Sequence, residues 1–180
     1  MSKKRVPQLP KASRPDGRSK SGLVSEGAHL LAARRPGEAA AKLEEALEMD
    51  PNDVAAAINL GGAYILQGKH ARAIPILEAA AELEPDNAMI WSNLGAAYLG
   101  KLPFSTPESQ DRAIQAYEQA LALDPRAPHV HYNLGLIFLE RRDTVQASMH
   151  FYGALESDPN DRDAQYWLDR LERGEQTGNR

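Results

Sequence analysis

The sequence predicts an all-α protein built as a solenoid of stacked helix pairs. Three observations predict it. Apolar residues recur at helical spacing, as in Trp91, Leu94, Gly95 and Tyr98, which fall at i, i+3, i+4 and i+7 on one stripe. The stripe returns along the chain at a fixed period, the mark of a repeat architecture. Each copy is followed by a second apolar set that ends in a proline, which stops a helix.

The elements follow in order. The first copy is the weakest, with Leu23, Gly27 and Leu30 in frame but Glu26 in the leucine slot; Ala39, Leu43, Ala46 and Pro51 follow it. An end repeat faces solvent on one side and tolerates such a residue. The second copy reads Leu60, Gly61, Tyr64, then Ala73, Leu77, Ala80, Pro85. In the third, Trp91 to Tyr98 precede Ala113, Tyr117, Ala120 and Pro125; in the fourth, Leu134, Gly135 and Phe138 precede Ala147, Phe151, Ala154 and Pro159. Gly27, Gly61 and Gly95 are 34 apart, as are Pro51 and Pro85, and Pro125 and Pro159. Glycine inside a helix costs about 1 kcal/mol relative to alanine, so its place in each stripe predicts a second helix lying very close.

One interval breaks the period. Gly95 to Gly135 is 40 residues, which places an insertion at 100–108 in the turn of the third copy. Thr106-Pro107 reads as a helix cap followed by proline at the first helical position, so part of the insertion lengthens the second helix. The rest is a loop exposing Phe104, which either meets a partner or folds back onto its own helices. Repeats are expected at about 20–53, 54–87, 88–127 and 128–161. Residues 162–173 then form a helix with Leu168 and Leu171 on one side and no Leu-Gly pair. Residues 1–20 and 174–180 are expected to be disordered.

This pattern resembles the tetratricopeptide repeat (TPR), over roughly residues 20–161, with the third copy giving the fullest match. The resemblance implies a right-handed α-solenoid, with 162–173 as the capping helix that closes the array. It also implies a concave groove lined by a second stripe on each first helix. That groove holds an extended segment or helix of a partner protein. Carried over by frame, the groove residues are Ile58, Asn59 and Ile65, then Met89, Asn93 and Leu99, then His129, Tyr132, Asn133 and Leu136. Asn59, Asn93 and Asn133 each stand immediately before the Leu-Gly pair and resemble an asparagine ladder. An amide both donates and accepts, so it can satisfy a peptide backbone without reading its side chains. The alternative is that each amide satisfies a neighbouring helix end. Chaperone-tail clamps of this family carry Lys and Arg along the stripe; here those positions are Ser21, Val24, Met89 and His129, which argues against a carboxylate clamp.

Charge divides the chain in two. Residues 1–20 hold Lys3, Lys4, Arg5, Lys11, Arg14, Arg18 and Lys20 against Asp16, a net +6. The remainder holds 14 cations and 24 anions, a net −10. The basic arm reads either as a contact for RNA, DNA, an anionic membrane or an acidic protein surface, or as a solubilising tail. There is no cysteine, which removes thiolate chemistry and disulfides and makes a reducing, cytoplasmic setting the expectation. Val54–Leu66, the longest near-apolar run, is too short to span a bilayer, and no secretory signal is expected, because Lys3-Lys4-Arg5 leads into polar, proline-rich sequence. His129 and His131 point about 200° apart on a helix and cannot share an ion, and His131 takes a packing position. No phosphate-cradling loop, nucleophile elbow or paired-carboxylate frame is present, so no enzymatic activity, metal, cofactor or small-molecule substrate is expected.

Overall fold

The computed structural model describes residues 19–103, 105–127 and 129–174. Within them the chain forms nine α-helices and no strand. They are α1 (Lys20–Ala32), α2 (Pro36–Met49), α3 (Val54–Leu66), α4 (His70–Leu83), α5 (Ala88–Leu99), α6 (Pro107–Leu123), α7 (Val130–Glu140), α8 (Thr144–Ser157) and α9 (Arg162–Glu172). The four pairs α1–α2, α3–α4, α5–α6 and α7–α8 stack in chain order, and α9 lies on α8. The expected arm residues Lys3, Lys4, Arg5, Lys11, Arg14 and Arg18, and Phe104, lie outside the described residues.

Capping chemistry sets most boundaries. Asp53, Asn87, Thr106, Asp143 and Asp161 each accept a hydrogen bond from a backbone N–H in the first turn of the helix they precede. α6 is 17 residues long where α2, α4 and α8 are 14, so three inserted residues add almost one turn to it.

The stripe glycines are where the paired helices touch. A Cβ at Gly27 or Gly61 would stand 2.6 Å from Leu43 or Leu77. One at Gly95 would stand 2.5 Å from the Tyr117 ring, and one at Gly135 2.6 Å from Phe151. The four large residues are all fully buried, so none can step aside cheaply.

Adjacent repeats are tied by a recurring polar bridge. The Tyr64 hydroxyl donates to Glu44 of the preceding repeat, while Arg72 pairs with Glu44 at 3.3 Å and lies 4.4 Å over the Tyr64 ring. One repeat on, Tyr98 donates to Glu78 at 2.7 Å, with Arg112 3.0 Å from Glu78 and 3.9 Å over the Tyr98 ring. Burial and the Glu44 hydrogen bond push the Tyr64 phenol up to about 12, and Tyr98 shifts the same way for the same reasons. Phe138 has no hydroxyl and cannot make this bridge. In its place Arg141 donates to Gln110 at 2.8 Å and pairs with Asp111 at 2.7 Å. Between α8 and α9 the polarity is exchanged, Tyr152 donating to Glu172 at 3.0 Å.

The third junction is the irregular one. The connections 50–53, 84–87 and 158–161 have four residues, whereas 124–129 has six, and α7 starts after His129 in a left-handed conformation with no side-chain cap. The backbones of α1 and α3 approach directly, as do those of α3 and α5; α5 and α7 scarcely meet. Tyr117, larger than the leucines at the first two junctions, fills the space against Val130, Leu134 and Ile137 of α7.

Candidate functional site

The second stripe of the first helices forms a wall that is neither core nor open surface. Ile58, Asn59 and Ile65 of α3, Asn93 of α5, and Tyr132, Asn133 and Leu136 of α7 are half-buried, while Met89 is 61 % exposed and His129 is exposed. Leu99 departs from this. It is only 6 % exposed and packs in the core with Tyr117 and Leu102, so it does not line the groove. The inserted turn after α5 supplies Leu102 as its cover.

The three asparagines share the wall but not the same surroundings. Asn59 donates from Nδ2 to the Ala55 carbonyl at 2.9 Å, the turn below in its own helix. Asn133 stands against the Tyr117 hydroxyl, which is buried and unpaired. Burial raises that phenol, and the Asn133 amide acts against the rise. Asn93 makes no side-chain hydrogen bond with another described residue, which leaves a whole amide to offer.

Two hollows adjoin this wall, one at the start of α5 and one among α7, the end of α8 and the start of α9. The first, about 440 Å³, is lined by Asn87, Met89, Ser92, Asn93, Ala127 and His129. The second, about 470 Å³, shares Ala127 and His129 and adds Tyr132, His131, Ala154 and the carboxylates at the start of α9. The structure therefore brings Met89, Asn93, His129 and Tyr132 to one stretch of the wall. Ile58, Asn59 and Ile65 stand further along it, on α3. Burial pushes the Tyr132 phenol up, a shift that a contact with Trp167 opposes and the nearby Asp163 and Asp161 charges reinforce.

Lys20 belongs to the fold. It is the first residue of α1, and its ammonium lies 2.8 Å from both Asp50 and Asp53. Those bonds hold the lysine well above its ordinary range and pull the Asp50 carboxyl below its own.

His150, a possible neighbour of His131 from the sequence, does meet it. His131 of α7 and His150 of α8 face each other with Nδ1 atoms 3.2 Å apart, and His150 stacks on Phe138 at 5.4 Å between centroids. Burial, and then the facing His131, lower the His150 imidazole to about 4. Gly153 makes the room, since a Cβ there would stand 2.7 Å from His131 Nδ1. Among the described residues no group of three or more His, Cys, Asp or Glu is placed to hold a metal ion, and no helix is long and apolar enough to cross a membrane.

The repeat pattern has a direct counterpart among known families. Residues 30–92 match the tetratricopeptide repeat and residues 108–140 match the TPR repeat, together more than half of the chain. The chain belongs to the tetratricopeptide repeat family. Solved TPR-like structures agree. MamA (residues 41 to the end) from Desulfovibrio magneticus is 25 % identical with a TM-score of 0.67, covering 80 % of this chain and 78 % of that one. A thermophilic TPR protein from Thermus thermophilus is 19 % identical at a TM-score of 0.74, covering 87 % and 84 %. PilF of Pseudomonas aeruginosa is 22 % identical at 0.72, covering 86 % and 68 %. The last two show the fold alone. No curated protein sequence matches the chain. TPR proteins are in general interaction scaffolds that bind protein partners, and generally not enzymes.

Proposed function

We propose that this TPR protein is a scaffold, adaptor or assembly factor that holds an extended or helical segment of a protein partner along the concave wall of α1, α3, α5 and α7. The observation that carries the reading is the second stripe, where half-buried Asn93 and Tyr132 and exposed Met89 and His129 gather beside two open hollows. Affinity comes from apolar anchors entering a preformed trough, with free amide groups such as that of Asn93 satisfying the ligand backbone. Anchors of this kind concentrate binding energy in few residues, so a small change should be decisive. Affinity capture from native lysate with the Met89→Ala, Asn93→Ala double variant is expected to lose the proteins that wild type recovers. Recovery of the same set by both would refute the groove.

The basic arm carries a second reading, in which Lys3, Lys4, Arg5, Lys11, Arg14 and Arg18 dock on nucleic acid or an anionic membrane and the repeats are a carrier. Its support is the net +6 of residues 1–20 ahead of an acidic body. Salt separates the two, because phosphate contacts weaken steeply with ionic strength and apolar anchors do not.

A further inference from the structure

We infer that the α5–α7–α9 end of the groove takes an extended partner segment bearing an apolar residue and, within three positions, an arginine or lysine. This rests on the groove reading above and names the chemistry of its ligand. The two hollows share Ala127 and His129, so they adjoin. Their walls differ. The first offers the Met89 side chain with the Asn93 amide, a seat for an apolar side chain and one backbone group; its one carboxylate, Asp124, already accepts from the Arg126 backbone N–H at 2.9 Å. The second offers the Tyr132 ring and Ala154 beneath Asp158, Asp161 and Asp163.

Charge selects the occupant of the second hollow. Asp161 is engaged as the cap of α9, and Asp158 accepts from the Asn160 N–H at 2.9 Å. The Asp163 carboxylate accepts no hydrogen bond from another described residue. Arg126, a cation in the lining, reaches toward the Ser157 carbonyl at 3.5 Å. A guanidinium or ammonium entering here meets the Tyr132 ring and carboxylates together, both of which favour a cation. An acidic segment would meet like charge. An extended chain advances about 3.3 Å per residue, so three positions span about 10 Å, the reach allowed here between adjoining hollows.

The test is selection of a random 12-residue displayed peptide library on the full chain, followed by anisotropy titration of the winning peptide. Enriched sequences are expected to pair an apolar residue with Arg or Lys within three positions. Replacing that basic residue by citrulline, which keeps the shape and removes the charge, should weaken binding about tenfold. Asp163→Asn should weaken the basic peptide about as much and add little to the loss from citrulline. Met89→Ala should weaken both peptides. Failure to enrich any sequence, enrichment without basic residues, or indifference to both citrulline and Asp163→Asn overturns the inference. If Met89→Ala still weakens binding in that case, the groove reading stands; if it does not, both fall. Competition by a free peptide of residues 1–18 as strong as that of the winning peptide would assign the site to this chain's own arm and overturn the partner assignment.

Discussion

Gly61 and Gly62 are neighbours in α3 and have opposite reasons to be there. A Cβ on Gly61 would stand 2.6 Å from buried Leu77, while one on Gly62 would meet nothing within 4 Å. Gly61→Ala should therefore destabilise by about 1–2 kcal/mol, overpacking outweighing the gain in helix propensity. Gly62→Ala should stabilise by up to about 1 kcal/mol. Thermal melts of the two variants should move in opposite directions. Equal shifts would mean that close approach is not what the stripe glycines provide.

His150 gives a second test at this scale. Its folded-state imidazole, lowered to about 4, binds its proton less readily than the ordinary imidazole near 6.5. Between those values the unfolded chain holds more protons, so the group's contribution is complete above pH 6.5 and is lost as pH falls toward 4. The melting temperature should decline across that window, and His150→Leu should flatten that part of the curve. Parallel curves for wild type and variant would remove the claim that this pair is held neutral.

At the scale of elements, the bridge between α6 and α7 replaces the tyrosine bridge of the other junctions. Gln110 is only 6 % exposed, and its Oε1 accepts from Arg141. Arg141→Ala removes that donor and the Asp111 pair together. Leaving a buried acceptor unpaired costs about 1–3 kcal/mol, and the N-terminal turn of α6 should exchange its amide hydrogens faster. Unchanged stability and exchange would show that the junction does not depend on this contact.

Helix pairs were legible because their signals are local. Proline stops, capping residues and the glycine stripe act within a few residues, so Thr106-Pro107 announced the longer α6 and Gly95 the approach of Tyr117. What the sequence concealed depends on how far apart helices come to rest. Leu99 holds a groove position by period, yet Leu102 and Tyr117 bury it. The three asparagines share one register, yet one bonds its own helix, one faces a buried phenol and one is left open. His150 is a possible neighbour of His131 by sequence, yet the close approach of the two rings depends on the missing side chain at Gly153.

At the scale of the whole molecule, the inner wall is the proposed working surface. A competing apolar surface exists on α8, where Val145, Met149 and Tyr152 are 77, 54 and 52 % exposed at helical spacing. The most direct measurement is NMR shift mapping of the full chain titrated with the captured partner segment. Shifts are expected to cluster on Ile58, Ile65, Met89, Asn93, His129, Tyr132, Asn133 and Leu136, leaving the exposed Val145, Met149 and Tyr152 of α8 undisturbed. Shifts gathered on Val145, Met149 and Tyr152, with the first helices silent, would contradict the central claim.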